Sequence, residues 1–467
     1  MAYPFSISLG LVWDIWKKGR KGKPVTYDDE RHLTLFGPNG SGKGVCLEIP
    51  NLLRLTGLSI INIDPKGQNA AVTMRWRSTV SEIALLNPFN LLGLGSIGFN
   101  PLRGIRSYED AEAIAEALIQ STGNDPHWAE SARGLMLALI LFEVRLAREV
   151  GREPLLKNVR AMLTGDLAAT ARDMVASGDF QLASLAGRFA NPTRETASIV
   201  STADTQTRWL LSEPMRKSVS DNGFDFAQLK QRPVTVYVIL PAEHLHTFSP
   251  WLRLVVVCAL NALYRQTGQG LRTLFMLSEF AQLGQLKPIM AALGQGRGYG
   301  VQLWPVLQDI NQLRTIYGRD AANTFLGMSG ATFAFCPNDG ETAEWMSKRS
   351  GDVIEPGLSV SDDPRSGARE TRRPERRRLL SADELYNIPE FHGLVWFAGQ
   401  SQPRPVYAPP YWDAHDNPDL VGRYDPDPYH SGSGGSTARR AMRQAVAAVL
   451  FAALVIAGSW LLHAPLR

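Results

Sequence analysis

The stretch Gly37-Pro-Asn-Gly-Ser-Gly-Lys-Gly-Val45 constrains this chain more than any other part of its sequence. It follows His32-Leu-Thr-Leu-Phe36, which reads as a short strand, and it precedes an apolar-periodic run that predicts a helix from Val45. Strand, glycine loop and helix form the order that a phosphate-binding loop requires. The glycines let backbone N–H groups converge on phosphate oxygens, the helix start adds its positive dipole end, and Lys43 reaches the β/γ-phosphates. The spacing therefore predicts an α/β nucleotide-binding core. Its binding stretch is Gly37, Pro38, Asn39, Gly40, Ser41, Gly42, Lys43, Gly44 and Val45. One position departs from the general pattern: the Ser or Thr expected after the lysine to ligate Mg²⁺ is Gly44.

Three further apolar runs read as strands that end in polar groups, and the carboxyl ends of strands are where open α/β sheets bind ligands. Residues 58–63 end in Asp64-Pro-Lys-Gly67, which offers a carboxylate for a metal shell or a plain Pro-Gly turn. Residues 274–277 end in Ser278-Glu279-Phe280. In P-loop ATPases such a strand usually ends in Asp-Glu, the Asp holding the magnesium shell and the Glu orienting or deprotonating the attacking water. Glu279 is present, but Ser278 stands where the Asp is expected and brings no charge, so metal affinity and turnover are expected to fall. Replacing it, Ser278→Asp, is expected to raise turnover if the rest of the site is intact. Residues 299–307 lead into Gln308-Asp309, where a γ-phosphate sensor or a helix cap would sit. The glycine-rich 294–300 is read as non-helical, and its Arg297 suits an arginine finger for a neighbouring subunit, a DNA-facing loop or a flexible turn.

Charge is concentrated in one place. The chain carries a formal +4, and residues 365–378 alone hold seven arginines and two glutamates, a local +5 that leaves the remainder at −1. With Pro and Gly and no apolar period, this run is expected to be a loop or disordered. Arg372, Arg373, Arg376, Arg377 and Arg378 are candidate contacts for DNA or anionic lipid, and a solvated charge run is the bland alternative. Cys46, Cys258 and Cys336 lie far apart in apolar or glycine-rich runs and are read as buried thiols of a reducing compartment.

Two segments bear on membranes. Residues 3–16 are apolar but interrupted by Asp14 and too short to span, so they are expected to pack or lie at an interface. Residues 445–462 are 18 consecutive uncharged, mostly apolar residues, which predicts a C-terminal transmembrane helix, with a buried core helix as the alternative. Arg439, Arg440 and Arg443 precede it, so the body is expected in the cytoplasm with the tail outside. The Ser/Gly-rich 431–437 between body and anchor reads as a flexible linker.

Taken together, GPNGSGKGV (37–45), IPNLL (49–53), IDPKG (63–67), SEFAQLG (278–284), RGYG (297–300), QDINQL (308–313) and NDGETAEWMS (338–347) resemble the TraG/TraD-type coupling proteins of type IV secretion and conjugation. The resemblance covers residues 30–400. That family's loop commonly carries Gly-Lys-Gly, so Gly44 fits it, whereas Ser278 departs from it. The resemblance implies a RecA-like P-loop NTPase core with an inserted all-α domain and ATP with Mg²⁺ as cofactors. It also implies a homo-hexamer at the inner membrane that passes relaxosome DNA–protein or effector cargo to a type IV secretion channel. Its members usually carry membrane helices at the N-terminus, unlike the C-terminal anchor expected here. The roles it suggests are phosphate binding by Lys43, water positioning by Glu279, sensing by Gln308, and a metal shell from Asp64 and Ser278. Helical periodicity at 108–120, 126–149 and 193–211 supports the insert independently. Trp128 and Trp209 there are cargo-contact candidates, or simply core. The expected organisation is an N-terminal segment (1–30), a first core part (31–106), the all-α domain (107–225), a second core part (226–408, basic loop 364–378), a linker (409–440) and the membrane helix (441–463). A nucleotide-binding receptor that hydrolyses little or nothing is the main alternative.

Overall fold

The computed structural model describes residues 6–13, 21–121, 126–266, 270–363 and 367–429. In chain order the strands are β1 (Ile7–Trp13), β2 (Lys21–Tyr27), β3 (His32–Phe36), β4 (Ser59–Ile63), β5 (Glu82–Leu86), β6 (Val234–Val238) and β7 (Thr273–Leu277). They continue with β8 (Val301–Leu307), β9 (Ser329–Phe335), β10 (Asp352–Asp363), β11 (Gly367–Arg378), β12 (His392–Phe397) and β13 (Arg404–Tyr407). Eleven of them form one sheet in the order β2-β1-β13-β12-β9-β3-β8-β7-β4-β6-β5, and β10 pairs only with β11.

The sheet has two halves. From β9 to β5 every neighbour is parallel, and from β2 to β12 the pairing is antiparallel. Helices cover both faces of the parallel half, so β3, β4, β6 and β7 are buried at every position, including polar residues such as Thr34, Asn62 and Thr235. The two-residue alternation of strands sorts their side chains between two cores. Ile61 and Ile63 pack with Ile114, Leu118, Leu139 and Trp251 on one face, and Ile60 packs with Leu52, Ala70 and Met276 on the other.

Between β5 and β6 the described chain is helical, including Tyr108–Leu118, Pro126–Glu149 and Arg194–Thr207. Ser107 and Thr193 start two of these helices with reciprocal capping boxes, which satisfy backbone N–H groups that the helix leaves free. The helices join the sheet through the core they share with it. Arg253 on the helix Ser249–Arg265 donates to the Ala117 carbonyl at 2.7 Å, and Arg265 pairs with Asp110. Trp209 is buried and Trp128 packs partly buried on the same core, so both are packing residues.

Several expectations change. Of the two expectations for the N-terminal stretch, packing holds for residues 7–13, which form strand β1 paired with β2 and β13. The basic run is not a loop: β11 pairs with β10 from Asp352↔Arg378 to Asp363↔Gly367, because an extended hairpin needs no apolar period when its ladder is satisfied by its own partner strand. Residues 409–429 are not a free linker but pack against the core. Tyr411 and Leu420 share a cluster with Ile49, Leu53 and Val72. Cys46 is buried, whereas Cys258 and Cys336 are half-buried. The segment 294–300 is partly helical: the helix Lys287–Gln295 runs through Gly294 into a 3-10 turn, Gly296–Tyr299. The expected linker 431–437 and membrane helix 441–463 lie outside the described residues, and among the described residues no helix is long and apolar enough to cross a membrane.

Candidate nucleotide site

The carboxyl ends of β3, β4 and β7 open into a cleft of about 350 Å³ lined by Asn39, Gly40, Gly42, Lys43, Gly44, Val45, Glu48, Asp64, Lys66, Asn69, Ser278, Glu279, Phe391 and Trp412 among others. Parallel strands all finish on the same side of a sheet, which is why groups far apart in sequence meet here. A larger cavity of about 410 Å³, lined by Arg103, Asp110 and Arg265, holds none of the residues expected to act on a nucleotide.

The loop after β3 is held from behind, where Gly37 N–H donates to the Leu307 carbonyl of β8 at 3.0 Å. Gly40 and Gly42 have positive φ, 79° and 95°, a conformation that costs glycine nothing. At Gly42 a Cβ would also stand 2.8 Å from Phe391 and 2.9 Å from the Cys46 sulfur. Gly37, Pro38 and Ser41 shape the loop without lining the cleft. Lys43 Nζ donates to the carbonyls of Gly37 and Pro38 at 2.5 and 2.9 Å. Burial pulls its ammonium below the usual lysine range, and the Glu279 and Glu48 carboxylates oppose that shift. The helix begins at Lys43, two residues earlier than its sequence suggests, as a π-helical turn (Lys43–Glu48) that passes into Ile49–Arg54.

Asp64, at the end of β4, is buried and accepts from the Ala70 N–H at 2.8 Å. Burial pushes its carboxyl up to about 7. Ser278 follows β7 and is buried, with its hydroxyl donating to Glu48 Oε2 at 2.5 Å. Glu279 sits at φ 52°, a left-handed conformation uncommon for a residue with a Cβ and of the kind that collects at functional sites.

Glu48 is the residue that sequence reasoning missed. It is buried, and besides Ser278 it accepts from Asn69 Nδ2 at 3.0 Å. Burial drives its carboxyl above the ordinary glutamate range. The only signal in the sequence is an acid inside the mostly apolar Val45–Leu53 run. Phe391 and Trp412 reach the cleft from the far end of the chain and had no local signal.

Other expected residues fall elsewhere. Gln308 follows β8 beside the loop but does not line the cleft, and its N–H donates to Gln312 Oε1 at 2.9 Å. Asp309, not Gln308, caps the next helix. Arg297 is exposed at the start of β8, the opposite end of a seven-residue strand from the cleft, so it serves no nucleotide bound in this chain. Arg376 and Arg378 both pair with Asp352, at 2.7 and 2.8 Å, while Arg377 donates to the Arg378 carbonyl at 3.0 Å. Arg372 and Arg373 lie on β11 opposite Leu358 and Gly357.

Residues 409–429 close the site's flank. Tyr411 N–H donates to the Val45 carbonyl, Gln68 Nε2 to Asp427 at 2.6 Å, and Tyr429 Oη to the Lys66 carbonyl at 2.7 Å. Arg54 grips Asp419 with two bonds of 2.9 Å.

The side-chain oxygens that line the cleft, from Glu48, Asp64, Ser278 and Glu279, are of the kind a hard cation such as Mg²⁺ takes, although among the described residues no three acidic, His or Cys side chains gather to hold a metal by themselves, so phosphate oxygens would have to complete its shell. With Lys43 and the loop amides beside them, the arrangement fits a magnesium–nucleotide.

Known proteins share this plan. The chain is 29% identical over 402 residues to a conjugal transfer protein TraG of Escherichia coli, covering 78% of this chain and 63% of that protein. It is 26% identical over 362 residues to the protein VirD4 of Agrobacterium fabrum, covering 73% and 52%. It thus spans less than two thirds of the length of either relative. Among solved structures, the plasmid coupling protein TrwB in complex with a non-hydrolysable ATP analogue superposes with a TM-score of 0.64 at 20% identity, covering 87% of this chain and 95% of that one. VirB4 of Thermoanaerobacter pseudethanolicus gives 0.53 at 13%, covering 87% and 96%. These likenesses establish a RecA-like P-loop NTPase fold. The family model described as type IV secretory system conjugative DNA transfer matches residues 12–412, and the chain belongs to that family.

Proposed function

We propose that this chain is a membrane-anchored coupling ATPase that recruits DNA–protein or protein cargo and passes it to a type IV secretion channel at the expense of ATP. The observation that carries the reading is the meeting of Lys43, Asp64 and Glu279 in one cleft at the ends of three parallel strands. Lys43 and the loop amides bind the phosphates, Lys43 exchanging its present contacts with the loop carbonyls for phosphate oxygens. Glu279 orients the attacking water and takes its proton. Asp64 and Ser278 belong to the metal shell, and bound Mg²⁺ would neutralise charge on the phosphate oxygens. Gln308, beside the loop, senses the γ-phosphate. Arg297, facing away from its own cleft, serves a neighbouring subunit of a homo-hexamer or faces DNA. The arginines of β11 bind DNA or anionic lipid. The segment 445–462 anchors the body at the inner membrane. The TrwB structures with an ATP analogue and with ADP and Mg²⁺ support the choice of cofactors.

The test is steady-state ATP hydrolysis by detergent-solubilised full-length protein with and without DNA, beside Lys43→Ala. DNA-stimulated turnover that disappears in Lys43→Ala is expected, and absence of ATP binding would refute the reading. A second reading, a nucleotide-binding receptor without hydrolysis, is favoured by one observation, the uncharged Ser278 after β7. Nucleotide binding without turnover would select it.

A further inference from the structure

The two positions from which such a site usually offers oxygen to magnesium are both weakened, with Gly44 replacing a hydroxyl and Ser278 replacing a carboxylate. Glu48 lies where it can make good the second loss. It lines the cleft, it is 4% exposed, and it meets Ser278 across 230 residues of chain at 2.5 Å.

The π-helical turn explains how a residue of the loop's own helix gets there. Ile49 N–H bonds to the Gly44 carbonyl, five residues back, so Glu48 sits one wide turn beyond Gly44. π turns of this kind are frequent at functional sites. A Cβ at Gly44 would meet nothing within 4 Å, so the missing side chain leaves open space beside the loop. Both bonds to Glu48, from Ser278 and Asn69, fall on Oε2, and among the described residues Oε1 accepts none. Its hydrogen bonds come from neutral donors alone, and Lys43 acts on it only through space, with no ion pair among the described residues; burying a carboxylate in that setting is costly unless a cation joins it.

We propose that Glu48 supplies the magnesium-shell carboxylate that Ser278 lacks, and that Ser278 is a positioning residue that orients Glu48 through its hydroxyl. The charge has moved from the end of β7 to the loop's helix, and the site is rearranged rather than decayed. This rests on the magnesium–nucleotide reading of the cleft. It also reverses the expectation for Ser278→Asp, since a second carboxylate against Glu48 would repel it and leave one of the pair protonated.

The test is titration of full-length protein with a fluorescent ADP analogue, in Mg²⁺ and in EDTA, with thermal unfolding as a folding control. Wild type is expected to bind more tightly in Mg²⁺. Glu48→Gln is expected to lose about 10- to 100-fold in apparent Mg²⁺ affinity while keeping its affinity in EDTA. Ser278→Asp alone is expected to gain nothing, and Glu48→Gln combined with Ser278→Asp to recover the Mg²⁺ effect. Ser278→Ala removes the orienting hydroxyl but leaves the Glu48 carboxylate and its bond from Asn69, so it is expected to lose part of the Mg²⁺ effect, less than Glu48→Gln does, which keeps the proposal testable if Glu48→Gln fails to fold. An unchanged Mg²⁺ response in folded Glu48→Gln, or its complete loss in Ser278→Ala, would overturn the proposal. Nucleotide binding by wild type that is indifferent to Mg²⁺ would overturn it while leaving the nucleotide site standing, whereas no binding in either buffer would remove both.

Discussion

The two halves of the sheet contain similar residues and do different work. In the parallel half, β3, β4 and β7 all end on one side, and the chain leaves them through left-handed turns at Gly42, Gly67 and Glu279 that aim Lys43, Asp64 and Glu279 into one cleft. In the antiparallel half, successive strands end on opposite sides, so no two neighbours deliver their loops to the same place. There the side chains pack instead: His392 meets Trp13 edge-on and Tyr407 at a tilt, with ring centroids 4.4 and 4.8 Å away. The halves touch at Phe391, which precedes β12 and closes on Gly42 of the loop. The contrast teaches that strand direction, more than composition, decides which part of this sheet carries chemistry.

If that division holds, damage to the antiparallel half should cost stability and spare nucleotide binding. Trp396→Ala empties a site that is 1% exposed and is expected to cost about 3–5 kcal/mol of stability, read by denaturant unfolding, with nucleotide affinity of the folded fraction unchanged. Damage to the parallel half should do the reverse. Glu279→Gln is expected to lower ATP turnover by about 100-fold or more while nucleotide affinity and unfolding midpoint stay near wild type.

A pH titration sharpens the same contrast. Burial holds the His392 imidazole down, at about 4. Between pH 4 and the ordinary value near 6.5 the unfolded chain therefore binds more protons than the folded one, so stability falls as pH drops through that window. Allowing for partial exposure, the loss is about 1–2 kcal/mol, and His392→Gln should flatten it in unfolding measured from pH 7 to pH 4. The smallest effect is expected at the flank. Tyr429→Phe removes one exposed hydrogen bond to Lys66 and should cost about 0.5 kcal/mol, seen as faster proteolysis near residue 429 without change in ATP affinity.

Much of the parallel half is legible in the sequence. The strands at 32–36, 58–63, 274–277 and 299–307 stand within two residues of β3, β4, β7 and β8, because buried strands are short, mostly apolar runs, stopped here by Gly37, Asp64, Ser278 and Gln308. β6, Val-Thr-Val-Tyr-Val, has the same character and escapes notice only because no polar motif follows it. The hairpin β10–β11 is illegible for a different reason. Its arginines have no apolar period, and Arg376 and Arg378 find their counter-charge in Asp352 on the facing strand. Residues 409–429 look like a linker by their Pro and Asp content, yet Tyr411, Trp412 and Tyr424 supply a packing face that only the helices at 49–54 and 68–77 make useful.

By itself the sequence determined the phosphate loop, its flanking strand and helix, and the identity of the two strands that end in Asp64 and in Ser278-Glu279, since each depends on residues adjacent in the chain. Only the tertiary structure decided which of these groups share a cleft, that Arg297 faces away from it, and that Glu48 meets Ser278. A hydrogen bond between residues 230 positions apart is a property of how β3 and β7 are brought together with β8 between them, and no local pattern encodes it.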